Sequence, residues 1–302
     1  MSHAATETIQ HPDAELKALD QLWFQITGTL CNIACDHCFI SCSPTNHSYE
    51  FMTYEQVQRY LEESVELGVK EYYFTGGEPF MHKQLVEILE LTLSYGPATV
   101  LTNGMLLKEP QIANLSEIEK ESIYSLEMRV SLDGYTREMN DTIRGNGVFE
   151  RTMQGVEMLV KYGFLPIITI TKTWEDHDDM EVLDGFLRTL HGYGYEHPRL
   201  KILPSIKRGR EIARTNGYDQ YEFVTTEMMQ EFDEDQLICS NARVATDRGV
   251  AVCPILIDAP DAILGNTLKE ASTSYTLNHQ ACYTCYLYGA VCSNFASGEQ
   301  DV

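Results

Sequence analysis

The chain has 302 residues, and its 22 Lys and Arg stand against 45 Asp and Glu, a formal net charge of −23. That charge excludes a protein that works by neutralising nucleic-acid phosphates or an anionic membrane surface. With 43% hydrophobic and 10% aromatic residues the chain can build a core, so a composition typical of intrinsic disorder is excluded too.

In chain order, residues 1–20 are mixed and polar and read as an N-terminal extension too short for a domain of its own. A short β-like run at 22–27 (LWFQIT) leads into a cysteine-rich loop. Thr53 and Gln56 form a capping box that predicts a helix over 53–68. Strands are predicted at 70–75, 98–102, 127–132, 165–171 and 199–203, with helices at 82–95, 109–120, 148–162 and 176–191 between them. Strands alternating with longer helical patterns indicate a parallel sheet with crossover helices. The alternation fades after Ser205, where a basic stretch (207–217) and an acidic one (227–235) precede five of the nine cysteines. A boundary is therefore expected near 205–225, between an α/β body and a small cysteine-rich appendage.

No basic start followed by an apolar run marks a secretory signal, and no apolar stretch approaches the ~18 residues of a membrane span. The expectation is a cytoplasmic protein with neither membrane nor nucleic acid as partner. In a reducing compartment, closely spaced cysteines are metal ligands or redox groups rather than disulfides. Cys31, Cys35 and Cys38 form a C-x3-C-x2-C loop directly after the first strand. Three thiolates on one loop can hold three corners of a cubane iron–sulfur cluster and leave the fourth iron open. Zinc is the competing reading, since Cys35 and Cys38 alone fit half of a zinc site.

Further motifs follow in order. Thr75-Gly76-Gly77-Glu78-Pro79 ends the second strand, Asn103-Gly104 closes the third, Ser131-Leu132-Asp133-Gly134 follows the fourth, and Arg144-Gly145-Asn146-Gly147-Val148-Phe149 lies beyond it. With the cysteine loop, these resemble the radical S-adenosylmethionine (SAM) superfamily, whose loop is C-x3-C-x-Φ-C, with His37 here at the usually aromatic position. The resemblance implies a partial (β/α)6 TIM-like barrel over 21–215 and a 4Fe–4S cluster on Cys31, Cys35 and Cys38. It implies that the Gly76–Gly77 backbone and the Glu78 carboxylate, in the GGEP motif completed by Pro79, receive the methionine ammonium of SAM. Asn103 matches the family's T-N-G turn, and Ser131 and Asp133 match its ribose contacts. Arg144 and Arg151 both match the arginine that pairs with the SAM carboxylate, and distance from the SLDG run favours Arg151.

Cys239, Cys253, Cys282 and Cys285 resemble the four ligands of a twitch domain, the short form of the SPASM extension, which implies one auxiliary 4Fe–4S cluster over 216–302. Gly249 stands one residue nearer its cysteine than in the family. A zinc hairpin has similar content, and Cys292 could replace Cys282 as a ligand. Cys42 and Cys292 otherwise remain, either as small buried hydrophobes or as thiols that deliver a hydrogen atom to a substrate radical.

The resemblance implies that SAM is cleaved reductively to a 5′-deoxyadenosyl radical, with electrons from a flavodoxin or ferredoxin, and that this radical removes hydrogen from the substrate. A fully ligated auxiliary cluster implies oxidation, and a thiol donor implies epimerisation. The short extension and appendage favour a small-molecule substrate of sugar or polyol type. Modification of a ribosomal peptide is the alternative, and a non-catalytic iron–sulfur or zinc module is a more distant one. Lys207, Arg208 and Arg210, within a basic run from Lys201 to Arg214, are either a solvated face or an anion-binding rim for substrate.

Overall fold

A computed structural model describes residues 10–174 and 179–293. Its body runs β1 Gln21–Gln25, α1 Tyr54–Leu67, β2 Glu71–Thr75, α2 Leu85–Thr92, β3 Ala98–Thr102, α3 Glu109–Glu121, β4 Leu126–Ser131, α4 Arg137–Arg144, α5 Val148–Lys161, β5 Ile167–Thr171, α6 Asp179–Gly192 and β6 Arg199–Leu203. The strands β1 to β6 are neighbours in that order and all parallel. Among the described residues the sheet does not close on itself, so the fold is an α/β partial TIM-like barrel. The first residues of the expected 176–191 helix lie outside the described residues.

Strand period dictates which core each side chain joins. Leu22 and Phe24 of β1, with Tyr72 and Phe74 of β2, face the helices. Trp23 and Tyr73 point the other way, into the barrel, where their rings stack at 4.2 Å. Every residue of β1 is buried, as expected of a parallel strand covered on both faces.

Both ends of α1 are stopped locally. The Thr53 side chain accepts from the Gln56 N–H, Gln56 answers on the Thr53 N–H, and Gly68 ends the helix at φ 73°. Helix α4 has no counterpart in the sequence reading. Its residues, REMNDTIR, are mostly polar, and only Asn140, Ile143 and Arg144 are buried. The apolar periodicity that announces a helix is therefore absent. Its ends are held by polar groups instead: Thr136 caps the start, and Asp141 accepts from Gly147 N and Phe149 N at 2.7 and 2.8 Å.

The cysteine-rich C-terminal segment continues the same sheet. Strand β7 Ala242–Thr246 pairs in parallel with β1 on its free side, and β8 Gly249–Ala251 and β9 Ile263–Gly265 follow antiparallel. Helix α7, Gln280–Tyr288, carries Cys282 and Cys285. Asp13–Ala14 of the N-terminal extension pairs with Tyr275–Thr276. Among the described residues no helix is long and apolar enough to cross a membrane.

Thr53→Ala is expected to lower stability by about 1 kcal/mol through loss of the cap. Chemical denaturation should register this with iron content unchanged, because α1 lies on the helix side of the sheet.

Candidate active site

The C-terminal ends of the barrel strands surround a cavity of about 220 Å³. Alternate strand residues line it: Gln25, Thr75, Leu101, Ser131, Thr171 and Leu203 all point inward. Cys31, Cys35, His37 and Cys38 border it from the loop after β1, and Gly76 and Gly77 from the loop after β2. Asn103, Arg144, Cys42 and Cys292 complete the sequence-predicted residues found there. Glu78, Pro79, Asp133 and Arg151 do not border it.

Close backbone approach fixes the cysteine loop. Glu78 N donates to Leu30 O at 3.2 Å, Cys31 N to Ser43 O at 3.1 Å, and Asp36 N to Ile143 O at 2.9 Å. A Cβ added at Gly77 would lie 1.9 Å from Leu30 O, so only glycine fits there. From below, the Arg210 guanidinium donates to Cys35 O at 2.8 Å, Ser41 O at 3.1 Å and Cys42 O at 2.5 Å. Gly209 beside it has φ +56°, and a Cβ there would meet Phe39 O at 2.5 Å.

The cations Lys207, Arg208 and Arg210 of the basic run do not border the cavity. Arg210 is spent on the cysteine loop, Arg208 on Ile255 O and Asp258, and Lys207 on Glu222. A cation that the cavity does present is Arg129, which sequence reasoning passes over as part of a strand. It is 1% exposed, and it donates to Cys292 O at 2.6 Å and Thr169 Oγ1 at 3.3 Å. Its signal was an arginine at an inward position of a buried strand.

Two of the expected SAM-binding carboxylates are engaged by the protein itself. Glu78 is fully buried, and its carboxylate accepts from Phe80 N at 3.0 Å, Thr102 Oγ1 at 2.7 Å and Asn103 N at 2.8 Å. It thereby locks the GGEP loop to the turn after β3, where Asn103 Nδ2 donates to Asn32 Oδ1 at 2.7 Å. Asp133 is likewise fully buried. Its Oδ2 lies 2.6 Å from both His37 Nε2 and Arg144 Nε, and its Oδ1 accepts from Thr171 N at 2.7 Å. Burial alone would raise the Asp133 pKa, but Arg144 and His37 hold it well below the usual carboxylate range. Of the two arginines, Arg144 ends α4 at the cavity, whereas Arg151 is exposed on α5. The structure brings Arg144 and not Arg151 to the cavity, because the unforeseen helix α4 carries Arg144 back to Asp133.

The thiols differ in readiness. Burial pushes Cys31 up to about 12 and Cys35 up to about 11. Hydrogen bonding from Cys42 brings Cys38 down to about 6, and the same contact, then burial, raises Cys42. Iron binding needs thiolates, so cluster assembly on this loop releases protons.

Cys239, Cys253, Cys282 and Cys285 line a second, smaller pocket with Tyr275 and apolar residues such as Leu237, Ile255 and Leu256. Burial pushes Cys239 up to about 12 and raises the other three as well. Cys292 borders the barrel cavity and follows helix α7, which carries Cys282 and Cys285. Among the described residues no three His, Cys, Asp or Glu side chains converge as the ligands of a single metal ion would.

The family model "Radical SAM superfamily" matches residues 26–184. The chain belongs to that superfamily. Among relatives of known role, it is 29% identical over 161 residues to the antilisterial bacteriocin subtilosin biosynthesis protein AlbA of Bacillus subtilis, covering 51% of this chain and 34% of AlbA. It is 30% identical over 197 residues to an AdoMet-dependent heme synthase of Oleidesulfovibrio alaskensis, covering 64% of this chain and 48% of the synthase. The chain thus spans half or less of the length of these relatives. Streptococcus suis SuiB, in a crystal structure bound to its precursor peptide SuiA, shares the fold at TM-score 0.60 and 14% identity, over 82% of this chain and 62% of SuiB.

Superfamily membership implies SAM and a 4Fe–4S cluster, and the donor set fits: three thiols of one loop leave one corner of a cubane for an outside ligand. Arg144→Lys keeps the charge beside Asp133 but loses the planar fork that holds a carboxylate with two hydrogen bonds. It is expected to weaken SAM binding about tenfold, roughly 1.4 kcal/mol, whereas Arg151→Ala stays within about twofold. Equilibrium dialysis of the reconstituted protein measures both.

Proposed function

We propose that this radical SAM enzyme abstracts a hydrogen atom from a small polar molecule held in the barrel cavity, giving oxidation or epimerisation in a biosynthetic pathway. The observation that carries the reading is that one cavity gathers the Cys31–Cys35–Cys38 loop, the cofactor-side residues Gly76, Gly77, Asn103, Ser131 and Arg144, and the thiol of Cys292. When bound, SAM and its cluster supply a 5′-deoxyadenosyl radical as the hydrogen abstractor.

In this reading the chain's own residues orient and protect. The Gly76–Gly77 backbone and Asn103 face the methionine end of SAM, and Arg144 faces its carboxylate. Ser131 meets the ribose, and Asp133 acts at one remove by aiming Arg144 and His37. The hydroxyl and amide groups of Gln25, Ser131, Thr169 and Thr171, with Arg129, suit a hydroxyl-bearing substrate of sugar or polyol type, including one with an anionic group. Cys239, Cys253, Cys282 and Cys285 hold an auxiliary 4Fe–4S cluster in the second pocket. Burial pushes the Cys292 thiol up to about 12, so it stays protonated, the state a hydrogen-atom donor needs. Cys42 also borders the cavity as a raised thiol and is the second donor candidate. A reducing compartment such as the cytoplasm, with a flavodoxin or ferredoxin as electron source, belongs to the same reading.

A peptide substrate is the second reading. It is favoured by the likeness to SuiB, whose structure holds a precursor peptide, and to AlbA, a bacteriocin biosynthesis protein.

Anaerobic reconstitution is expected to load about eight irons per chain, two cubanes. Cys31→Ala should lose about four of them and all 5′-deoxyadenosine formation, whereas Cys282→Ala should lose about four and still cleave SAM. Loading of only about four irons on the parent would remove the auxiliary cluster from the proposal. With a turned-over substrate in D2O, the thiol-donor route places solvent deuterium in the product. Cys292→Ala should abolish that label with iron content unchanged, and persistence of the label in this variant and in Cys42→Ala would sink the donor assignment.

A further inference from the structure

The pocket of the second cysteine group holds two features that ligation alone does not explain. Arg243 is fully buried on β7, and its guanidinium donates only to backbone carbonyls: Ala271 O at 2.8 Å, Cys239 O and Ala242 O at 2.7 Å, and Thr273 O at 2.6 Å. Among the described residues no carboxylate pairs with it, and one of the carbonyls that it holds is that of the auxiliary cysteine Cys239. A buried cation without a counter-ion is destabilising. The site is thus arranged around negative charge. Four thiolates on a cubane core supply it, because their sum leaves the cluster anionic.

The second feature is Tyr275. It is 7% exposed, it lines the pocket, and its hydroxyl is buried with no hydrogen-bond partner among the described residues. An orphaned buried hydroxyl is costly and calls for an acceptor. The residue is held from two sides. Its backbone is paired with Ala14, and its face lies parallel to His279, 6.5 Å between centroids, which is itself held to Asp261 at 3.0 Å. The hydroxyl belongs to the same pocket that Cys239, Cys253, Cys282 and Cys285 line.

We propose that the Tyr275 hydroxyl donates a hydrogen bond to a sulfur of the iron–sulfur cluster held by Cys239, Cys253, Cys282 and Cys285, and so raises that cluster's reduction potential. This rests on the four-thiolate reading above. The sign follows from charge. Reduction adds one electron to an already anionic cluster, so a donor to its sulfur stabilises the reduced form more than the oxidised one. Arg243 acts in the same direction through its buried positive charge. Tyr275 is a tuning residue and not a ligand.

The test uses the full chain with Cys31, Cys35 and Cys38 replaced by Ala, so that only the auxiliary site loads, reconstituted anaerobically with iron and sulfide. Tyr275→Phe removes one oxygen and leaves the ring packing. Potentiometric EPR titration should show a lower midpoint potential, with the one-electron equilibrium constant falling about tenfold, which is about 59 mV. Proton ENDOR on the unsubstituted-Tyr275 protein should show an exchangeable proton coupled to the reduced cluster and lost in D2O, a measurement that does not depend on the variant folding. A loaded cluster with an unchanged potential in Tyr275→Phe, or with no such proton, overturns the inference and leaves the four-thiolate reading standing. Failure of the triple-Ala chain to load about four irons overturns the reading itself.

Discussion

One buried carboxylate, Asp133, ties the active end of the barrel together. It stands just past β4 and reaches three other elements: the cysteine loop through His37, the end of α4 through Arg144, and β5 through the Thr171 amide. A fully buried charge of this kind persists only when its lone pairs are filled and a cation stands beside it, and here Arg144 is that cation. The consequence is positional. The loop that carries Cys31, Cys35 and Cys38 cannot shift without breaking a contact at the floor of the cavity. Arg144 is delivered to the cavity by the same interaction. Glu78 repeats the device on the other side, binding the GGEP loop to the turn after β3.

The two cysteine sites share one scaffold. Strand β7 lies against β1, so the strand that launches the first cysteine loop is neighbour to the one that follows Cys239. Arg210, from the segment between the two groups, grips the first loop through Cys35 O and Cys42 O. Cys292 then returns the chain to the barrel cavity, where Arg129 holds its carbonyl. This continuity couples the geometry of both sites to a single sheet.

Much of this was legible in the chain. The six strands were placed within a few residues because strands of a parallel sheet are short and rich in apolar, β-branched and aromatic residues. The helix from Tyr54 to Leu67 was legible from Thr53, Gln56 and Gly68 because caps are local chemistry. Helix α4 was not, because its stabilising groups are polar and its partners distant. With α4 missing, Arg144 had no route to the cavity, and spacing pointed to Arg151 instead. The role of the basic run stayed open for a related reason: charge clustering in sequence does not reveal which carbonyls and carboxylates lie across the fold, and Lys207, Arg208 and Arg210 each have one there.

By itself the sequence determined the alternation of strands and helices, the three-thiol loop and its superfamily, since these depend on local pattern and on spacing within a single loop. Only the tertiary structure decided that Glu78 and Asp133 brace the cavity from behind, that Arg144 and not Arg151 borders it, and that Arg129 and Cys292 meet there. Those outcomes turn on burial and on contacts between residues far apart in the chain. A carboxylate that binds a ligand and one that locks a loop are the same letter until the fold shows which groups surround it.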